Sequence, residues 1–206
     1  MIDAPRARGA RLLLVRHGEV EAWARGRIYG RLDPSLSDEG SAQAGAAARL
    51  LAGEHAVALY ASPSRRALQT AGVIAEATAL ATSVDPRLRE IEFGELEGLT
   101  FAEAEARDPA TWRAWMERPG QVRFPGGECW DDVRARASEA AEAIAAAHPE
   151  ATAIVVAHGG IVRALLAEAL ALPAERTFRM EIGFGSVTAL RREPFGWMVE
   201  GVNRRP

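Results

Sequence analysis

Two short apolar runs in this chain stop on a histidine, and this repeated ending limits the possible folds more than any other feature. LLLV (12–15) runs straight into Arg16, His17 and Gly18, and AIVVA (153–157) into His158, Gly159 and Gly160. Runs of four or five apolar residues are too short for helices and suit strands buried on both faces, as in a parallel sheet. In open α/β sheets ligands bind beyond the carboxyl ends of the strands, where loops diverge and leave a crevice. Both histidines fall on that edge. A lone histidine at a strand end more often just hydrogen-bonds a neighbouring carbonyl, so the remaining sequence has to decide between the two readings.

The strand-then-helix theme recurs along the chain. Ser37 is placed to cap a helix running to about Leu51, and AVALYAS (56–62) reads as another buried strand. Ser62 followed by Pro63 predicts the N-cap and first residue of the next helix, with Arg65 and Arg66 in its opening turns. The stretch from Ser83 to Trp112 predicts a short strand, an acidic loop and two short helices, which start at the Thr100/Glu103 capping box and at Asp108-Pro109. A long alanine-rich helix is expected from about Trp130 to Ala147, an apolar helix directly after His158, and a closing hairpin over SVTALRREPFGWMVEG (186–201).

Composition removes several function classes. A length of 206 residues suits one domain. A net charge of −3, from 25 basic and 28 acidic residues, provides no field that would draw nucleic acid or an anionic membrane. Every basic residue is arginine, so mechanisms that need a Schiff-base or P-loop lysine are excluded. The single Cys129 excludes an intrachain disulfide and a cysteine-rich zinc site. MIDAPRARGAR (1–11) has no apolar h-region, and no run approaches the ~18 residues of a membrane span. The expectation is a cytoplasmic protein, monomeric or homodimeric, acting on a small molecule without nucleic-acid or membrane partners.

If the strands are parallel, His17, His158 and an arginine-bearing helix start meet on one edge. Two imidazoles, Arg16, Arg66 and helix N-termini form a site for a small dianion such as phosphate, and nearby acids including Glu90 could exchange protons. The motifs RHGE, SPSRRALQTA, LREIEFGELEG and VAHGG, in this order, resemble the histidine phosphatase superfamily, the phosphoglycerate mutase-like proteins. The resemblance covers roughly Leu12 to Leu172. It implies a doubly wound, mostly parallel α/β sheet with helices on both faces and a small helical lid, here at about 95–130. It also implies that His17 is the nucleophile that becomes phosphorylated and that Arg16 and Arg66 bind the phosphoryl group. His158 with Gly159 would complete the pocket, and Glu90 would be the proton donor. Arg66 rather than Arg65 matches the family pattern. No metal and no cofactor are implied.

The chemistry stands on its own terms as well. Neutral imidazole is a nucleophile at pH 7, and rigid guanidinium forks can stabilise a transferring phosphoryl group without a metal ion. An alkyl alcohol leaving group needs a proton, which a partly desolvated glutamate can supply. Two columns depart from the family pattern: Val20 and Trp23 replace a threonine and a phosphate-contacting asparagine, and Trp23 is expected to be a packed aromatic. Cys129 stands where serine is common and is expected to be a small buried thiol or an improvised helix start. His55 and His148 are expected at the surface, Glu92, Glu95 and Glu97 in a solvated loop, and Trp112, Trp115 and Met116 in core or lid packing.

Only 67 residues separate Glu90 from His158. That compact segment favours a metal-independent phosphomonoesterase over a cofactor-dependent phosphoglycerate mutase. With the FPGGE turn (124–128), it is similar to α-ribazole 5′-phosphate phosphatases and to broad-specificity phosphatases. A non-catalytic phospholigand-binding module is the alternative from another class. A metallohydrolase is disfavoured because the histidines adjoin arginines, and a serine hydrolase because G-x-S-x-G is missing.

Overall fold

The structure, a computed structural model, describes residues 9–205. Most of the N-terminal stretch MIDAPRARGAR therefore lies outside the described residues. Four strands, β1 (Arg11–Arg16), β2 (Ala58–Ala61), β3 (Thr82–Val84) and β4 (Thr152–Ala157), run parallel. A hairpin, β5 (Val187–Glu193) and β6 (Gly196–Arg204), adds to the edge through an antiparallel β1–β5 pairing. The sheet order is β3-β2-β4-β1-β5-β6. The chain is thus α/β with a mostly parallel sheet, as expected.

Alternation along the central strands explains why helices cover both faces. Leu13 and Val15 of β1, with Ile154 and Val156 of β4, bury against α1 (Asp38–Leu51) and α2 (Arg65–Thr78). Leu12 and Leu14, with Ala153 and Val155, bury against α5 (Trp130–Ala147) and α6 (Gly159–Ala169) on the other face. Every second side chain of a strand points to the same face, so an unbroken apolar run supplies both layers.

The start signals act mostly as expected. Ser37 Oγ accepts from the Gly40 amide, Thr100 and Glu103 form the capping box of α3 (Phe101–Arg107), and Asp108 caps α4 (Pro109–Glu117). Cys129 does begin α5, its amide donating to the Asp132 carboxylate at 2.9 Å. One expectation fails: the N-cap of α2 is Ser64 rather than Ser62, and Pro63 lies before the helix. Ser62 is fully buried and has a different partner, described below.

The loop after β1 lies against the start of α1 with no side chain between the backbones. A Cβ on Gly40 would lie 2.0 Å from the Glu19 carbonyl oxygen, and one on Gly18 2.1 Å from that of Gly40. Gly40→Ala should therefore cost about 1–3 kcal/mol in urea unfolding. Gly45→Ala, on the same helix with only Arg49 Nη1 3.7 Å from its added methyl, should be neutral or stabilising by up to about 1 kcal/mol. Equal effects at the two positions would contradict this close approach.

Candidate active site

Strand register assembles the site. Val15, Val156 and Ala61 lie side by side across β1, β4 and β2, so the next residues along the three chains emerge together at the carboxyl edge. His17 donates its backbone N–H to Ala157 O at 3.0 Å, and Ser62 donates its own to Val156 O at 2.9 Å. The His17 and His158 rings stand 5.1 Å apart, edge to face. Both are buried.

His17 Nδ1 lies 2.7 Å from the Gly18 carbonyl oxygen. A carbonyl can only accept, so Nδ1 carries the proton and Nε2 keeps its lone pair. Burial, then the Arg66 and Arg16 guanidiniums, hold the His17 pKa well below the usual 6.5. His158 is held low by burial and then by Arg66, His17, Arg136 and Arg16. Its Nε2 lies 2.8 Å from Ser62 Oγ. The misplaced helix cap is thus the residue that orients the second imidazole.

Arg16 and Arg66 flank this pair. Arg66 is completely buried and donates to Leu32 O at 2.9 Å and Gly30 O at 3.2 Å. The amides of that same loop, at Gly30, Arg31 and Leu32, donate to the Glu97 carboxylate, which also accepts from the Phe93 amide. Glu97 is therefore an anchor for the loop that holds Arg66, which corrects its expected place in a solvated loop. Arg16 donates to Ile182 O and stacks over Phe184, its Cζ 3.7 Å from the ring centroid. Arg65, by contrast, is exposed, and its backbone N–H donates to the Asp33 carboxylate.

Glu90 completes the ring. Its Oε2 accepts from the Gly160 amide at 3.1 Å and its Oε1 from the Ile91 amide at 3.1 Å. A Cβ on Gly160 would come within 2.1 Å of Glu90 Oε1, so the second glycine of VAHGG leaves room for this carboxylate. Gly159 begins α6 beside Arg16. Arg136 on α5 donates to the carbonyls of Arg87, Arg89 and Glu90 and pairs with both oxygens of Glu128. This pins the segment that carries Glu90.

Several residues escaped the sequence reading. Ser62 was hidden by a plausible cap signal, and Arg163 sits on α6 one turn past Gly159 with no motif of its own. Arg136, Glu128 and Glu97 act through backbone carbonyls and amides that leave no spacing signature. Trp23 is 53% exposed, its indole bonded to Glu21, which corrects its expected packing role. His55 is exposed as expected, whereas His148 is half-buried and bonded to Tyr60.

A family model described as the histidine phosphatase superfamily (branch 1) matches residues 12–205. A bifunctional protein of Mycobacterium tuberculosis is 40% identical over 185 residues, which are 88% of this chain and 50% of that protein. The chain thus spans about half the length of the first curated relatives it matches. A glucosyl-3-phosphoglycerate phosphatase of the same species is 37% identical over 174 residues, covering 81% of this chain and 78% of the relative. Among solved structures, a mycobacterial hydrolase superposes with a TM-score of 0.87 at 33% identity, covering 97% of this chain and 100% of that one. The α-ribazole phosphatase of Shigella flexneri shares the fold, with a TM-score of 0.83 at 24% identity over 94% of this chain and 96% of its own.

Two buried imidazoles held neutral have a thermodynamic signature. Between the lowered native pKa values and the unfolded value near ~6.5, the unfolded chain binds protons that the folded chain does not, so stability falls as pH falls. Each histidine should contribute a slope approaching about 1.4 kcal/mol per pH unit between about pH 6.5 and 5.5. His17→Asn and His158→Asn should each remove one such contribution in urea titrations. A flat wild-type profile in that window would contradict the neutral pair.

Proposed function

The chain belongs to the histidine phosphatase superfamily, and from that membership we propose that it is a metal-independent phosphomonoesterase working through a phosphohistidine at His17. The observation that carries this reading is the buried, neutral His17, its proton fixed on Nδ1 by Gly18 and its Nε2 lone pair close to the buried Arg66 and the half-buried Arg16 guanidiniums. Arg16 Nε and Arg66 Nε have no hydrogen-bond partner among the described residues. Buried unpaired donors cost about 1–3 kcal/mol each, and the several oxygens of a phosphoryl group are suited to accept from them.

In the first step His17 Nε2 attacks phosphorus. The P–O bond to the alcohol breaks, and the departing oxygen takes its proton from the Glu90 carboxyl. Arg16, Arg66 and His158 hold the equatorial oxygens, where the transferring group carries its charge. In the second step water attacks the phosphohistidine, Glu90 takes the water's proton, and the P–N bond breaks to release phosphate and free imidazole. Glu90 is suited to both directions of proton transfer because two backbone amides fix its carboxylate at the mouth of α6.

The compact stretch between Glu90 and His158 favours water over a second phosphoglycerate as acceptor, which sets the mutase reading aside. The relatives named as phosphatases of glucosyl-3-phosphoglycerate and phosphoserine support a small phosphorylated metabolite as the substrate class. The finer reading, α-ribazole 5′-phosphate, rests on that compact segment and the FPGGE turn. The proposed setting is cytoplasmic; no helix among the described residues is long and apolar enough to cross a membrane.

The test is turnover in a chelator, with Glu90→Gln beside the wild type. Wild-type hydrolysis should persist in the chelator. Glu90→Gln should slow single-turnover phosphorylation by ~10²–10⁴-fold with an alkyl phosphate and only a few fold with p-nitrophenyl phosphate, whose leaving group departs as an anion. Loss of activity on chelation, restored by magnesium or zinc, would overturn the mechanism; absence of any turnover would make the chain a binding module. Because the His17 pKa is lowered, wild-type kcat/KM corrected for the fraction of substrate present as the dianion should show no remaining acid limb near pH 6.5, a second check on the neutral nucleophile.

A further inference from the structure

A groove of about 590 Å³ lies beside the site, walled by Phe93, Phe101, Trp112, Trp115, Met116 and Phe178. That volume is within the range of small-molecule clefts. Its rings form a chain, with centroids 5.7 Å apart for Phe101 and Trp112, 5.9 Å for Trp112 and Trp115, and 5.0 Å for Trp115 and Phe178. Phe101 and Met116 are each 62% exposed. Large apolar side chains left in water along one concave wall mark a place where apolar surface is covered in use.

Arg163 ties this groove to the catalytic residues. It lines the groove, and its Nη1 lies 3.0 Å from the point where a Cβ on Gly159 would stand, a point 3.5 Å from Arg16 Nε. The charge of Glu90 acts on it as well. Its Nε donates to Met180 O at 2.9 Å, which fixes the side chain between the two regions. A ligand spanning both would therefore meet cations at one end and an aromatic wall at the other.

We propose that this groove holds the leaving-group portion of the substrate and selects a phosphomonoester whose alcohol carries an apolar tail, an alkyl chain or a flat ring system. The proposal rests on the phosphoryl-site reading above, since the dianionic head is what places the tail. A polyhydroxylated sugar fits less well, because most of its hydroxyls would lose water against rings and a thioether, with Glu175, Arg163 and the Trp115 indole N–H, unpaired among the described residues, the polar groups that line the groove or face it. An amphiphile with a dianionic head fits both ends at once.

The test uses the whole chain and non-hydrolysable probes: inorganic phosphate and ethyl-, butyl- and hexylphosphonate, titrated by calorimetry. A fully buried methylene is worth about fourfold in Kd. Partial burial predicts at least a tenfold fall in Kd from ethyl to hexyl. In the double variant Phe101→Ser/Met116→Ser the series should flatten to within about threefold while the Kd of inorganic phosphate stays within twofold. Should that variant misfold, a blue shift of tryptophan fluorescence with hexyl- but not ethylphosphonate in the unaltered protein is the equivalent expected result, and equal shifts or none the contrary one. A flat series with intact phosphate binding overturns this inference alone. The same holds for a slope that survives in the variant, or for self-association that the variant abolishes, which would give the groove to a second copy. Failure to bind inorganic phosphate overturns the phosphoryl-site reading together with it.

Discussion

The 2.7 Å contact between His17 Nδ1 and the Gly18 carbonyl is the constraint on which the site depends. It assigns the proton to one ring nitrogen and so presents the lone pair of the other, without an acidic residue to orient the ring. The contact exists because β1 ends at Arg16 and its register against β4 holds the His17 backbone N–H on Ala157 O. The plain reading of a strand-end histidine, that it bonds a neighbouring carbonyl, is thus the same contact that would prepare it for the proposed chemistry. Burial and two adjacent guanidiniums then favour the neutral ring.

Holding cations in such a place requires acceptors, and the chain uses mostly backbone carbonyls. Among the described residues the carboxylate nearest Arg66 is Asp33, at 3.5 Å with its side chain 41% exposed, so the firm partners of this wholly buried guanidinium are Leu32 O and Gly30 O. The Glu97 carboxylate tethers the opposite side of the same loop through three amides. Arg136 does the equivalent for Glu90, gathering three carbonyls and a bidentate carboxylate. An ammonium has three donors and no planar fork, so these junctions need arginine specifically. In a chain without lysine, arginine serves both the site and its scaffold.

The parts of the fold legible in the sequence were those set by local pattern. Apolar runs of strand length marked β1 and β4, Ser37 and the Thr100/Glu103 pair marked helix starts, and strand ends marked His17 and His158. The gathering of the two histidines, Arg16 and the arginine-bearing helix start at one edge followed from parallel strands, whereas the choice of Arg66 and the proton-donor role of Glu90 came from the family resemblance. What stayed hidden was decided by tertiary contacts. Ser62 looks like a cap next to Pro63, yet its hydroxyl is taken by an imidazole 96 positions away. Glu97 sits in an acidic stretch whose neighbour Glu95 is exposed, and only the path of the 30–32 loop makes it an anchor. Trp23 reads as an aromatic that must pack, but on the short 3-10 turn Ala22–Ala24 it is Ala24 that is buried, and Trp23 points to solvent.

The central claim is that Gly18 selects which nitrogen of His17 reacts. The direct measurement is to quench the protein during turnover of an aryl phosphate under alkaline conditions, then locate the phosphoryl group by peptide mass spectrometry and assign the isomer by phosphorus NMR. The account predicts one phosphohistidine, at His17, bonded through Nε2. A phosphoryl group on His158, or on Nδ1 of His17, would contradict it.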